Sequence, residues 1–272
     1  MKYRNGHQNE ERGNILKKSQ RMVSKSRDRS DPRLFNNFQE DIHLVPDTGI
    51  HKLHARNKKV VYSPKTITQE DYITVLKSDR YSVVFAVGPA GTGKTFLSVL
   101  AAIEALKEER VSKIIITRPA VCADDEKHGF LPGTLNEKLL PWVAPVMDIF
   151  KEYYSPTQLK TMVEYEIIEL APLAFLRGRT FKNAYIIGDE MQNSTVNSMK
   201  MFLTRIGENS KIVVTGDLMQ HDRKFTTDNG LKDFITRVGS GGSHDIAVVN
   251  FTGYDIQRHP VVKEVLELYG EI

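Results

Sequence analysis

The sequence predicts an α/β domain with a mainly parallel, doubly wound sheet, and three observations carry that expectation. Short apolar runs of strand character alternate with helix-forming stretches over residues 63–272. The octamer Gly88-Pro89-Ala90-Gly91-Thr92-Gly93-Lys94-Thr95 stands between one such run and a helix-forming stretch. A later apolar run, Asn183 to Gly188, ends in two adjacent acids, Asp189 and Glu190. Strands feeding Gly-rich turns and helices build parallel sheets, whose ligands gather at the carboxyl ends of the strands.

The chain has 272 residues, 40% hydrophobic and 26% charged, the composition of a globular protein. No apolar run approaches the ~18 residues that a membrane-spanning helix needs. The polar start, Met1 to Ser30, lacks the apolar core of a signal peptide. Cys122 is the single cysteine, which excludes an internal disulfide and fits a reducing, cytoplasmic setting. The net charge of +4 is unevenly placed. Residues 1–35 hold ten Lys and Arg against four Asp and Glu, a surplus that leaves the remainder slightly acidic. With few apolar residues, residues 1–55 read as a basic arm and linker preceding a domain over 56–272. The arm binds nucleic acid, laces an oligomer or simply solubilises the chain. His43, His51 and His54 come without accompanying thiols or carboxylates and read as surface residues rather than metal ligands.

Taken in order, the domain starts with a helix through Tyr72, Val75 and Leu76 that Thr66 or Thr68 can cap. Gln69, in its first turn, could read an adenine edge at N6 and N7 or be merely solvated. Ser82–Val87 is the strand before the octamer, and Phe96–Leu106 the helix after it. The octamer fits G-x-x-x-x-G-K-[ST], a phosphate-binding loop. Its glycines let backbone N–H groups face phosphate oxygens, and the helix N-terminus adds partial positive charge. Lys94 is placed to hold the β- and γ-phosphates, and the Thr95 hydroxyl to ligate Mg²⁺. The implied ligand is a nucleoside triphosphate.

Lys113–Thr117 is a β-branched, buried strand ending at Arg118-Pro119, so Arg118 points to the ligand edge. Phe130, on the Gly/Pro turn Gly129–Gly133, is a candidate for base stacking. Trp142 reads as packing in a helix spanning Leu139 to Ile149. Ile167–Leu170 is a short strand, and beyond it Arg177 and Arg179 bracket Gly178. Buried strands rarely finish in two carboxylates unless a charge awaits them. Asp189 therefore reads as the Mg²⁺ acid, acting through water, and Glu190 as the base that orients and deprotonates the attacking water. Thr195–Ile206 is a helix capped by Asn193 or Ser194, with Arg205 in its last turn. After the strand Lys211–Thr215, Gln220 can contact the γ-phosphate or the attacking water. A helix over Asp228–Val238, a strand over His244–Phe251 and a closing helix over Arg258–Tyr269 complete the chain.

One phosphate loop in one domain lacks the external arginine that drives hydrolysis in such sites, so a neighbouring subunit is expected to supply it. That predicts a closed homo-oligomer, a ring of six by analogy, with ATP at subunit interfaces. Arg205 and Arg258 are the first candidates, with Arg177 and Arg179 in reserve; each also reads as an ordinary surface or ion-pair arginine.

Taken together, several segments resemble PhoH-like proteins. They are Gly88–Leu97, Arg118–Val121, Gly129–Gly133, Ala171–Thr180, Asp189–Asn193, Met199–Arg205, Gly216-Asp217 with Gln220, and Arg258–Pro260. The resemblance covers residues 60–270 or so. It implies a RecA-like ATPase of the superfamily-1 helicase type, using ATP and Mg²⁺ and acting on single-stranded RNA or DNA. Gln69 then resembles the adenine-reading glutamine, and Gln192 and Gln220 the residues that couple ATP to nucleic acid. Arg118, Phe130, Arg177, Arg179 and Gln192 are the nucleic-acid candidates. The alternative is an ATP-gated ring that recruits a partner without motor activity. In the acid motif, Gly188 and Met191 replace the leucine and alanine of the usual Leu-Asp-Glu-Ala-Gln. No ribonuclease-type domain is appended, and the compact length resembles that of a reduced, phage-type member.

Overall fold

The computed structural model describes residues 58–119, 144–219, 229–239 and 243–257, with residues 261 and 268. Its centre is a six-stranded sheet in which every pairing is parallel. The strands are β1 Val83–Val87, β2 Lys113–Arg118, β3 Ile168–Pro172, β4 Ala184–Gly188, β5 Lys211–Gly216 and β6 Ile246–Asn250, in the order β3-β2-β4-β5-β1-β6. The phosphate-loop strand β1 is thus flanked by β5 and β6, and β5 separates it from β4, the strand that ends at the two acids. The inner strands are continuous apolar runs because both faces are covered. Pro172 sits at the end of an edge strand, where a missing N–H is tolerated.

Alternate strand residues face two separate cores. Helices α1 (Ile67–Lys77) and α2 (Lys94–Lys107) cover one face, packing Tyr72, Leu76, Leu100 and Ile103 onto Val84, Ile114, Ile116 and Tyr185. Helices α4 (Val196–Leu203) and α5 (Gly230–Val238) cover the other, where Met199, Phe202 and Leu231 meet Phe85, Ile115, Ile186 and Val214. Each fully buried Ile, Leu or Phe contributes about 1.5–3 kcal/mol, so both layers matter to stability. This is the doubly wound α/β architecture, with the RecA-like arrangement, that the sequence predicts.

Several boundaries differ from expectation. Helix α3 (Pro156–Glu164) was not anticipated, although Ser155 and Gln158 form a reciprocal capping box with Pro156 at the first helical position. Helix α4 is capped by Thr195, whose side chain accepts from the Ser198 N–H, and not by Asn193 or Ser194. Met191–Asn193 forms a separate 3₁₀ turn that the Ser194 N–H closes on the Met191 carbonyl, so the chain bends before α4 begins. Helix α4 stops at Leu203, placing Arg205 just beyond it. Of the expected helix around Trp142, residues 144–151 are helical, with Val146 and Phe150 buried. No helix among the described residues is long and apolar enough to cross a membrane.

Candidate active site

At the carboxyl edge of the sheet, the turn after β1 and the end of β4 face each other across the end of β5. Between them is a cleft of about 240 Å³ bordered by Gly91, Lys94, Thr95, Asp189, Glu190 and Asp217. Lys94 begins α2, and its ammonium donates to the carbonyls of Gly88 and Pro89, both at 2.6 Å. The loop thus folds back onto its own lysine. Gly88 has φ +141° and lies so close to the end of β6 that a Cβ would stand 2.2 Å from the Phe251 carbonyl oxygen. No other residue fits there.

The loop is clamped from behind. Gln69 is buried in the first turn of α1, its Nε2 donating to the Thr92 carbonyl at 3.0 Å and its Oε1 accepting from the Lys65 N–H at 2.7 Å. The sequence offers Gln69 as a reader of an adenine edge or as a solvated side chain; in the structure its amide is bonded to the loop and to the Lys65 N–H. On the far side the Gln257 N–H donates to the Gly91 carbonyl at 2.8 Å. Asp255, buried in the turn after β6, ties the two clamps together. It accepts from the Thr252 N–H at 2.9 Å and the Thr252 hydroxyl at 3.2 Å, and the hydroxyls of Thr66 and Thr68 at the start of α1 also favour its charged form. Burial disfavours its charge, but these hydrogen bonds outweigh that and hold its carboxyl below the usual 3.8.

Opposite the loop, the Asp189 carboxylate is buried and accepts at Oδ1 from the Thr95 hydroxyl at 2.7 Å and the Thr215 hydroxyl at 2.5 Å. A hydroxyl and a carboxylate are hard oxygen donors of the kind Mg²⁺ takes alongside phosphate and water. Among the described residues no group of three or more His, Cys, Asp or Glu gathers to hold a metal by itself. The pair Thr95–Asp189 fits Mg²⁺.

Glu190 follows in a left-handed backbone conformation, φ +52° and ψ +41°, which is unusual for a glutamate and clusters at functional sites. Its carboxylate, 39% exposed, is reachable by water. Gln192 Nε2 donates to Glu190 Oε2 at 2.5 Å, and Gln192 Oε1 accepts from the Asp217 N–H at 3.2 Å. Gln192 thus joins the end of β4 to the end of β5. Arg118, at the end of β2, has its Nη2 at 3.9 Å from Glu190 Oε1. The unusual Gly188 and Met191 are a matched pair. A Cβ at 188 would lie 2.8 Å from the Phe202 ring and 3.1 Å from Met191 Cγ, so the small residue makes room for the large one.

The remaining predicted residues divide. Arg179 pairs bidentately with Glu169, with Nη2 to Oε2 at 2.8 Å, and lies 4.6 Å over the Phe181 ring. Arg205 donates from Nε to the Met201 carbonyl, from Nη1 to the Arg179 carbonyl and from Nη2 to the Thr204 hydroxyl, all near 3 Å. Both guanidinium groups hold this chain together, away from the cleft. Arg177 is exposed. Phe130, Gln220 and Arg258 lie outside the described residues, as do residues 1–57 and Trp142. Sequence reasoning missed Thr215, Asp255 and Gln257, and quoted Asp217 in a motif without giving it a role. For Thr215 and Asp217 there was a signal, since both sit at the end of a buried strand.

The family model for PhoH-like proteins matches residues 61–270. A "PhoH-like protein" of Mycobacterium tuberculosis strain H37Rv is 43% identical over 218 residues, 80% of this chain and 60% of that one. "Protein PhoH" of Escherichia coli K12 is 36% identical over 230 residues, 84% of this chain and 64% of that one. The chain spans under two thirds of the length of these relatives. The crystal structure of the UvsW helicase from bacteriophage T4 is a distant likeness, with 13% identity and a TM-score of 0.42, covering 75% of this chain and 66% of that one. With the loop, the acids and their clamps placed as described, and the match running through nearly the whole domain, the chain belongs to the PhoH-like family.

Proposed function

We propose that this protein is an Mg²⁺-dependent ATP hydrolase whose turnover is coupled to single-stranded RNA or DNA, working as a ring-shaped homo-oligomer. One observation carries the hydrolase reading: Thr95, at the start of α2, and Asp189 and Glu190, just past β4, converge on one cleft beside the phosphate loop although β1 and β4 are not neighbours. The loop N–H groups and Lys94 bind the polyphosphate. Thr95 and Asp189 would hold Mg²⁺, which neutralises charge on the transferring phosphoryl group. Glu190 accepts a proton from the attacking water.

The ring reading is supported by the cations near the cleft. Among the described residues bordering it, Lys94 is the only basic one, and an arginine for the γ-phosphate is expected from a neighbouring subunit. With Arg179 and Arg205 engaged within the chain, Arg177 and Arg258 are the better donors to a neighbour. The nucleic-acid reading is supported by Arg118 and the exposed Arg177 near the carboxyl edge.

The test is steady-state ATP hydrolysis by the full chain with and without Mg²⁺, single-stranded RNA and single-stranded DNA, at low and high salt, with native mass measurement. We expect Mg²⁺-dependent hydrolysis, lost in Lys94→Ala, and stimulation by nucleic acid that fades as salt rises. Hydrolysis without stimulation, combined with ATP-dependent assembly, would replace the motor with an ATP-gated ring. Wild-type turnover in Lys94→Ala would overturn the hydrolase itself.

A further inference from the structure

We infer that Arg118 is a latch on Glu190, holding the base back until an external phosphodiester draws the arginine away. The inference rests on the proposed coupling to nucleic acid and names the residue that performs it.

The sheet brings the two side chains together. Strands β2 and β4 are hydrogen-bonded neighbours in register, Thr117 opposite Gly188, and the Asp189 N–H continues the ladder onto the Thr117 carbonyl at 2.9 Å. The residues that follow each strand therefore emerge side by side at the ligand edge. The left-handed turn at Glu190 then carries its carboxylate toward Arg118. One oxygen, Oε2, accepts a 2.5 Å hydrogen bond from Gln192, and the other, Oε1, has the guanidinium of Arg118 at 3.9 Å. Both oxygens that could take a proton from water are thus attended by donors or cations of this chain. The orientation of the carboxylate is therefore set by these two partners and not by the attacking water.

The contact is also of the kind that can be exchanged. At 3.9 Å, with the two side chains 32% and 39% exposed, it is a long, solvated pair of small net stability. A phosphodiester offers a guanidinium two oxygens in bidentate geometry, a stronger partner than a carboxylate at this distance. Nucleic-acid backbone passing the carboxyl edge would take Arg118, free Oε1, and leave Gln192 as the remaining guide of the base. Because Gln192 also reaches the Asp217 N–H, the freed Glu190 stays tethered to the end of β5. Arg118 is here a positioning residue, acting only through Glu190.

The test is Arg118→Ala in the full chain, with ATP turnover measured without nucleic acid, with saturating single-stranded RNA or DNA, and across a KCl series. The latch predicts basal turnover raised about two- to fivefold, the range of a weak ion pair. It also predicts a reduced stimulation ratio, because the variant is already released. In the wild type, basal turnover should rise with moderate KCl as the pair is screened, and this rise should be absent from the variant. Arg118→Gln, which keeps bulk at the site, should repeat the pattern. Unchanged or lowered basal turnover in both variants, or the same KCl response as the wild type, overturns the latch while leaving nucleic-acid stimulation of the wild type standing. If no nucleic acid stimulates the wild type yet both variants turn over faster, the restraint is upheld and the nucleic-acid reading is what fails.

Discussion

The two walls of the cleft are built on different terms. The phosphate-loop wall is fastened by backbone and buried polar bonds: Gln69 to Thr92, Gln257 to Gly91, and Asp255 to Thr252 in the turn that carries Gln257. The acid wall is fastened more lightly. Asp189 is fixed by Thr95 and Thr215, but Glu190 sits on a left-handed turn between a hydrogen bond from Gln192 and a long, solvated ion pair. One wall is held rigidly, and the other keeps Glu190, the proposed base, adjustable. Preorganised donors stabilise a bound phosphate without reorganisation, whereas a base must answer to the water it meets.

The sharpest test of this division is Glu190→Gln. It should lower kcat by about 10²–10⁴-fold while ATP affinity, measured by titration calorimetry, stays within a few-fold. Loss of binding and turnover together would show that the walls are not separable. Next in size is Gly188→Leu, which drives a side chain into Phe202 and Met191 and should cost about 1–3 kcal/mol in denaturant unfolding. Adding Met191→Ala should recover part of that loss, and strict additivity of the two would contradict the volume exchange.

Gln69→Ala tests the other wall. It leaves the Thr92 carbonyl and Lys65 N–H without their partner, at about 1–3 kcal/mol of stability. Its kinetic effect should fall on KM for ATP more than on kcat; a selective loss of kcat would move Gln69 to the chemical side. The smallest effect belongs to Asp255. Its folded carboxyl titrates below the ordinary 3.8, so its contribution is complete above that value and is lost as pH falls through the lower folded value. The melting-temperature gap between wild type and Asp255→Asn should therefore be wider at pH 6 than at pH 3. A gap that grows on acidification would reverse the sign and remove Asp255 as a charged clamp.

What could be read in advance was what one segment settles alone. Apolar runs rich in Val and Ile gave the inner strands to within a residue or two, and the octamer and the Asp189–Glu190 pair marked both walls. Strand order was less legible, since nothing local says that β5 inserts between β1 and β4. Gln69 shows the same limit: its helix and cap were foreseeable from Thr66, but its burial against Thr92 depends on a partner 23 positions away. Asp255 carries no motif, and its role arises only when the end of β6 meets the start of α1. Asn193 and Ser194 looked like caps because their chemistry suits the role; the 3₁₀ turn took them first and passed it to Thr195. Local composition proposes candidates for a cap, and tertiary geometry selects one.

The strand that separates β1 from β4 has a further consequence. Neighbouring strands stand about 4.8 Å apart, so two steps hold the backbones of β1 and β4 roughly 10 Å apart, a gap that the side chains of Thr95 and Asp189 reach across. That span is a ruler marked in backbone hydrogen bonds and belongs to no side chain. Substitutions such as the Gly188–Met191 exchange can redraw the packing beneath it, and the graduation does not move.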